Sequence, residues 1–169
     1  KEQPADRIAV ETFFDSLRSV AAQLHGWGPD VVALGDDASV FAAGANGEAS
    51  LARLLKEILG CPAVTMSAAC CAALKDLGAC RIALVSPWSA AVTSALEASL
   101  ADQGLEIVGS GQVSLANGGA DGPQTAEGWQ KAGLEVLGAC PEQPQALLLV
   151  GGGCHFANAI TSFEAQVQL

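Results

Sequence analysis

PDVVALGDDASVF, residues Pro29 to Phe41, lies over PQALLLVGGGCHF, residues Pro144 to Phe156, without a gap at an offset of 115 residues. In each stretch a short continuous apolar run is bounded by turn residues, which reads as a strand buried on both faces of a parallel sheet. Such a strand needs helices on both sides, and the sequence supplies them. Val10, Phe13, Phe14, Leu17, Val20, Ala21 and Leu24 recur at spacings of three and four, predicting a helix over 9–25 that Gly26, Gly28 and Pro29 stop. A second helix is predicted over 46–59, with Leu51, Leu54, Leu55 and Ile58 on one face and Gly60 at its end.

The alternation continues to the C-terminus. Strands are predicted at 63–66, 81–85, 105–109 and 146–150, separated by helices over 67–77, 88–103 and 124–138, with a last helix from about His155. Ser67 is the expected N-cap of the helix over 67–77. Strands that alternate with helices of ten or more residues imply a parallel α/β architecture with helices on both faces. With the repeat, this becomes two pseudo-symmetric, flavodoxin-like α/β halves, 1–78 and 79–169. A chance parallel between two buried strands is the competing explanation of the repeat. If the repeat holds, the first half lacks its opening strand and the second its closing one, so the sequence is incomplete at both ends. The expected cleft is lined by residues 35–41, 65–68, 86–89 and 151–156.

Composition narrows the partners. The 169 residues are 50% hydrophobic, enough for a real core, which excludes a disordered chain. A net charge of −10 repels nucleic-acid backbones and anionic membrane surfaces, so neither is an expected partner. No apolar run approaches the roughly 18–20 residues that span a bilayer, and Lys1-Glu2-Gln3-Pro4 is too polar to begin a secretory signal. The expected location is cytoplasmic, with a signal already removed as the alternative. Cys61, Cys70, Cys71, Cys80, Cys140 and Cys154 contain no CxxC pair and are joined by only two histidines, so they read as reduced, buried thiols and no metal is assigned. Gly109-Ser110-Gly111 is no dinucleotide fingerprint, since the third glycine is missing, and no cofactor is implied.

Several residues remain that can carry chemistry. Cys154, beside His155 at the expected start of a helix, has the setting that lowers a thiol pKa and suits a proton-transferring or nucleophilic cysteine; a buried helix cysteine is the plainer reading. Gly151-Gly152-Gly153 can form a backbone nest for a carboxylate or phosphate, or simply a tight turn. Asp36 and Asp37 suit a general base, a magnesium site or a phosphoacceptor pair, against the plainer reading of solvated loop acids. Ser39 and Thr65-Met66-Ser67 sit at strand ends where hydroxyls bind carboxylates or cap helices. Cys70 and Cys71 are expected in the core.

From Val31 through about Ile160 the order of motifs resembles the aspartate/glutamate racemase superfamily, in its arylmalonate decarboxylase and maleate cis-trans isomerase branch. The stretches that carry the resemblance are PDVVALGDDASVF, GCPAVTMSAA, LKDLGACRIALVSPW and ALLLVGGGCHFANAI. It implies two lobes around a small carboxylic acid and cofactor-free proton transfer at the carbon alpha to a carboxylate, performed by cysteines at the ends of central strands. Here the first-lobe cysteine position falls on Asp36 and the second-lobe position on Gly151. The neighbouring hydroxyl position falls on Asp37, and the tyrosine after the third strand's proline on Trp88. These departures leave Cys154 and Asp36 as the catalytic candidates, with Asp37, Ser39, Ser67, Trp88, Gly151, Gly152, Gly153 and His155 as substrate-binding candidates. The expected partner is a small carboxylate, with a homo-oligomer also expected from the exposed sheet edges of an incomplete half. The alternative function is a catalytically inactive ligand-binding or sensory α/β module.

Overall fold

A computed structural model describes residues 4–35, 45–113, 125–151 and 160–167 of the chain. The elements are α1 (Pro4–His25), β1 (Val32–Leu34), α2 (Ala45–Leu59), β2 (Ala63–Thr65), α3 (Met66–Asp76), β3 (Arg81–Ser86), α4 (Ala90–Asp102), β4 (Glu106–Gln112), α5 (Ala126–Ala139), β5 (Ala146–Leu149) and α6 (Ile160–Val167). All strand pairs are parallel, and strands alternate with helices as the hydrophobic pattern predicts. The described chain forms two compact units, Lys1–Cys70 and Cys71–Leu169.

In the first unit β1 pairs with β2 in the register Val32↔Ala63, Ala33↔Val64 and Leu34↔Thr65. Ala21 of α1 and Leu55 and Leu59 of α2 are buried together with Cys61, and Val32, Leu34 and Ala63 pack against them. The residues that alternate with these along β1 point the other way, as the period of two requires. There the expectation of burial on both faces fails: Ala33 is exposed and Val31 is 60% exposed. The apolar run reports that a strand forms, but a helix layer is present on only one of its faces among the described residues of this unit.

The second unit holds a three-stranded sheet in the order β4-β3-β5. Here the reading of a doubly buried strand succeeds, because Ile82 through Ser86 of β3 are all buried between two neighbouring strands. Ala83 and Val85 face Trp129, Ala132 and Val136 of α5. Ser86, on the alternate face, bonds Thr93 of α4. The two helices therefore cover opposite faces of the central strand.

Strand β4 is longer than the predicted 105–109, because it pairs with β3 along the whole of that strand despite its glycines. Its register with β3 slips between Ile82 and Ala83, where one extra residue of β4 is accommodated as a bulge. From there Gly109 and Gly111 stand opposite Ala83 and Val85, on the α5 side. A β-carbon on Gly111 would overlap Val136 Cγ2, and one on Gly109 would overlap Cys140 Sγ. The Gly-Ser-Gly sequence is thus what lets α5 lie close on the sheet. Gly111→Ala is expected to lower stability by about 1–3 kcal/mol through overpacking, more than the roughly 0.4–1 kcal/mol a glycine replacement returns through the unfolded chain. An unchanged or higher urea midpoint would refute this account of the glycines.

Two smaller expectations change. Ser67 is not the N-cap of α3: the Ala68 N–H donates to Thr65 Oγ1 at 3.2 Å, so Thr65 holds the capping position and Ser67 lies inside the first turn. Of the cysteines, Cys61 and Cys71 are buried as expected, whereas Cys70 and Cys140 are half-buried and Cys80 is exposed. The expected helix from about His155 is described over Ile160–Val167. No helix among the described residues is long and apolar enough to cross a membrane.

Candidate active site

The carboxyl ends of parallel strands are where an α/β fold offers loop residues and helix N-termini to a ligand. In the second unit the order β4-β3-β5 creates a topological switch. The chain leaves β3 toward β4 on one side, then returns across β3 to place β5 on the other. The adjacent ends of β3 and β5 are thus at the position of the ligand crevice in open parallel sheets. The pairing Val85↔Leu149 and the hydrogen bond from Val150 N–H to the Val85 carbonyl, 3.0 Å, align the two strand ends. Trp88 and Gly151, two of the residues expected to bind substrate, follow these two strand ends.

Around that point the polar groups are well defined. Ser86 is fully buried, and its hydroxyl lies 2.6 Å from that of Thr93, so it ties β3 to α4 rather than facing a ligand. Trp88 is half-buried, and its carbonyl accepts a hydrogen bond from Gln112 Nε2 at 2.5 Å, which anchors the segment after β3 to the end of β4. Gly151 has φ +144°, a conformation rarely open to an L-residue.

The β2–α3 junction of the first unit carries a second polar group. Thr65 and Ser67 are buried, with exposures of 2% and 4%. Both hydroxyls donate to the Glu48 carboxylate, Ser67 Oγ to Oε2 at 3.1 Å and Thr65 Oγ1 to Oε1. Of the three, Ser67 was expected at the site, Thr65 was recognised as a strand-end hydroxyl, and Glu48 was not foreseen. An acid in the first turn of a helix is visible in the sequence, but the hydroxyls it meets lie 17 and 19 residues away. Asp36, Asp37, Ser39, Gly152, Gly153, Cys154 and His155 lie outside the described residues.

The sequence model of the family described as arylmalonate decarboxylase matches residues 5–169. The chain belongs to the arylmalonate decarboxylase family. A crystal structure of arylmalonate decarboxylase superposes with a TM-score of 0.80 at 26% identity, covering 92% of this chain and 66% of that one. A variant of arylmalonate decarboxylase in a sulfate ion associated form gives 0.85 at 26% identity, covering 95% of this chain and 68% of that one. A maleate isomerase from Pseudomonas putida S16, solved with maleate, gives 0.74 at 20% identity over 91% of this chain and 63% of the other, a likeness of fold. No curated protein matches the sequence significantly. The chain therefore spans about two thirds of the length of the arylmalonate decarboxylase it resembles.

Membership of the arylmalonate decarboxylase family sharpens the question of Gly151, on which the second-lobe cysteine position falls by resemblance. With φ at +144°, this position does not simply await a thiol. Gly151→Cys is expected to destabilise the protein by about 1–3 kcal/mol through backbone strain alone. A variant with an unchanged urea midpoint would show that the backbone relaxes without cost and that a cysteine fits there.

Proposed function

We propose that this chain acts on a small malonate-type carboxylic acid by cofactor-free decarboxylation, with Cys154 as proton donor and the Gly151–Gly153 amides holding a carboxylate. The observation that carries the proposal is the switch point of the family's sheet, where the ends of β3 and β5 lie side by side and Gly151 leads out of the second. Relatives solved with a sulfate ion and with maleate support a small anion as the ligand class. In the reaction, the bond between the α-carbon and one carboxylate breaks, carbon dioxide leaves, and the electron pair remains on the α-carbon as an enediolate. Donors aimed at the retained carboxylate stabilise that charge. The Cys154 thiol then delivers its proton to one face of the α-carbon, and the thiolate regains a proton from solvent.

Proton transfer from both faces needs a second group, and Asp36 is the candidate for it. With aspartate and glycine at the usual cysteine positions, little conventional racemisation is expected. The two related halves, 1–78 and 79–169, and a cytoplasmic location belong to the same reading. The second reading is a module that binds a carboxylate without turning it over, favoured by the loss of both usual cysteines. Proton NMR of a phenylmalonate-type acid incubated with the protein in deuterium oxide separates the two. Decarboxylation yields a monocarboxylate carrying deuterium at the α-carbon, whereas a binding module raises the melting temperature and leaves the acid intact.

A further inference from the structure

In the first unit an anion is already in place at the β2–α3 junction, and it belongs to the chain. Glu48 projects from the first turn of α2, where an acidic side chain is favourable, and its two oxygens accept hydrogen bonds from Thr65 and Ser67 at the start of α3. Both hydroxyls are more than nine-tenths buried. Thr65 also accepts the Ala68 N–H, so a backbone donor, a hydroxyl and a carboxylate form a single chain in which each bond polarises the next. A carboxylate thus sits on two buried hydroxyls beyond the end of a parallel strand, the region of an α/β fold where anionic ligands bind.

We propose that Glu48 is a specificity-determining residue, a resident carboxylate that fills the anion position at the β2–α3 junction and closes it to any carboxylate from a ligand. This rests on the reading of the chain as a protein for small carboxylates. A second carboxylate brought to this strand end would meet a like charge and two hydroxyls whose protons are already committed. A neutral group or a hydrogen-bond donor is accepted there instead, since the Glu48 oxygens have lone pairs left.

The test uses acetate as the probe and thermal melting as the reading, with chloride at equal ionic strength as the reference. Glu48→Ala empties the position and leaves Thr65 and Ser67 in place. At about ten times its dissociation constant, acetate is expected to raise the melting temperature of this variant by roughly 3 °C beyond any effect on the wild type. The extra response should saturate and should vanish in the double variant Glu48→Ala, Thr65→Val. Glu48→Ser, better suited to the first turn of a helix, is read in the same way. For a variant that unfolds, recovery of the helical circular-dichroism signal in acetate over chloride is the reading. An acetate response equal to that of the wild type in both single variants, or one that survives Thr65→Val, overturns the proposal. No step of the assay involves turnover, so a failed decarboxylation assay leaves its result standing, and the reverse.

Discussion

Trp129→Ala is expected to remove about 3–5 kcal/mol of stability, enough on the usual scale of roughly 5–15 kcal/mol for a domain to bring the second unit close to unfolding. Trp129 is 1% exposed and is the largest of the fully buried side chains among the described residues. It lies in one cluster with Ala83 and Val85 of β3, Val113 just past β4, and Ala132 and Val136 of its own helix. Its loss leaves a cavity under the central strand, and the neighbours cannot collapse into it: two are alanines, and Ala83 and Val85 are held in the sheet on both sides. The expected result in urea is a large fall in midpoint with little change in slope, and a smaller fall for Trp129→Phe. A loss below about 1 kcal/mol would mean that α5 is not the helix that holds this sheet together.

Cys154→Ala is expected to lower turnover of a malonate-type acid by at least a hundredfold, while the affinity for the carboxylate stays within about threefold. The split follows from the proposed roles. The thiol supplies the proton to the α-carbon and makes no ground-state contact that binding depends on, whereas the glycine amides hold the carboxylate in either variant. Retained turnover, or α-carbon deuterium exchange that survives the substitution, would transfer the role of acid or base to Asp36. Equal thermal stabilisation of both forms without turnover in either would favour the binding module.

The sequence disclosed the fold where burial is complete. β3 reads RIALVS and is buried from Ile82 to Ser86, so its composition and its environment agree. β1 carries a similar run and, among the described residues, is covered on one face only, because composition records a strand's propensity and not the number of layers packed on it. β4 runs beyond the predicted 105–109 to Gln112; its glycines weaken a strand in isolation but are required here by the approach of Val136 and Cys140. Motif order was enough to identify the family that the sequence model matches over residues 5–169. The cluster of Glu48, Thr65 and Ser67 was only half legible: hydroxyls at a strand end advertise themselves, but their partner is set by how α2 lies across β2, which no local pattern encodes.

The bulge between Ile82 and Ala83 decides which half of β4 the helix touches. Side chains on a strand alternate like odd and even numbers, and one inserted residue exchanges the two sets. Before the slip Ile82 stands opposite Ile107; after it Ala83 stands opposite Gly109 and not Val108. The extra residue thus brings the odd-numbered glycines under α5 and leaves Ser110 on the other side. What matters in this strand is therefore where its extra residue is taken up. Closing the bulge with every residue kept would set Val108 and Ser110 opposite Ala83 and Val85 and push α5 off the sheet, whereas deleting Val108 would close it and leave the glycines beneath the helix.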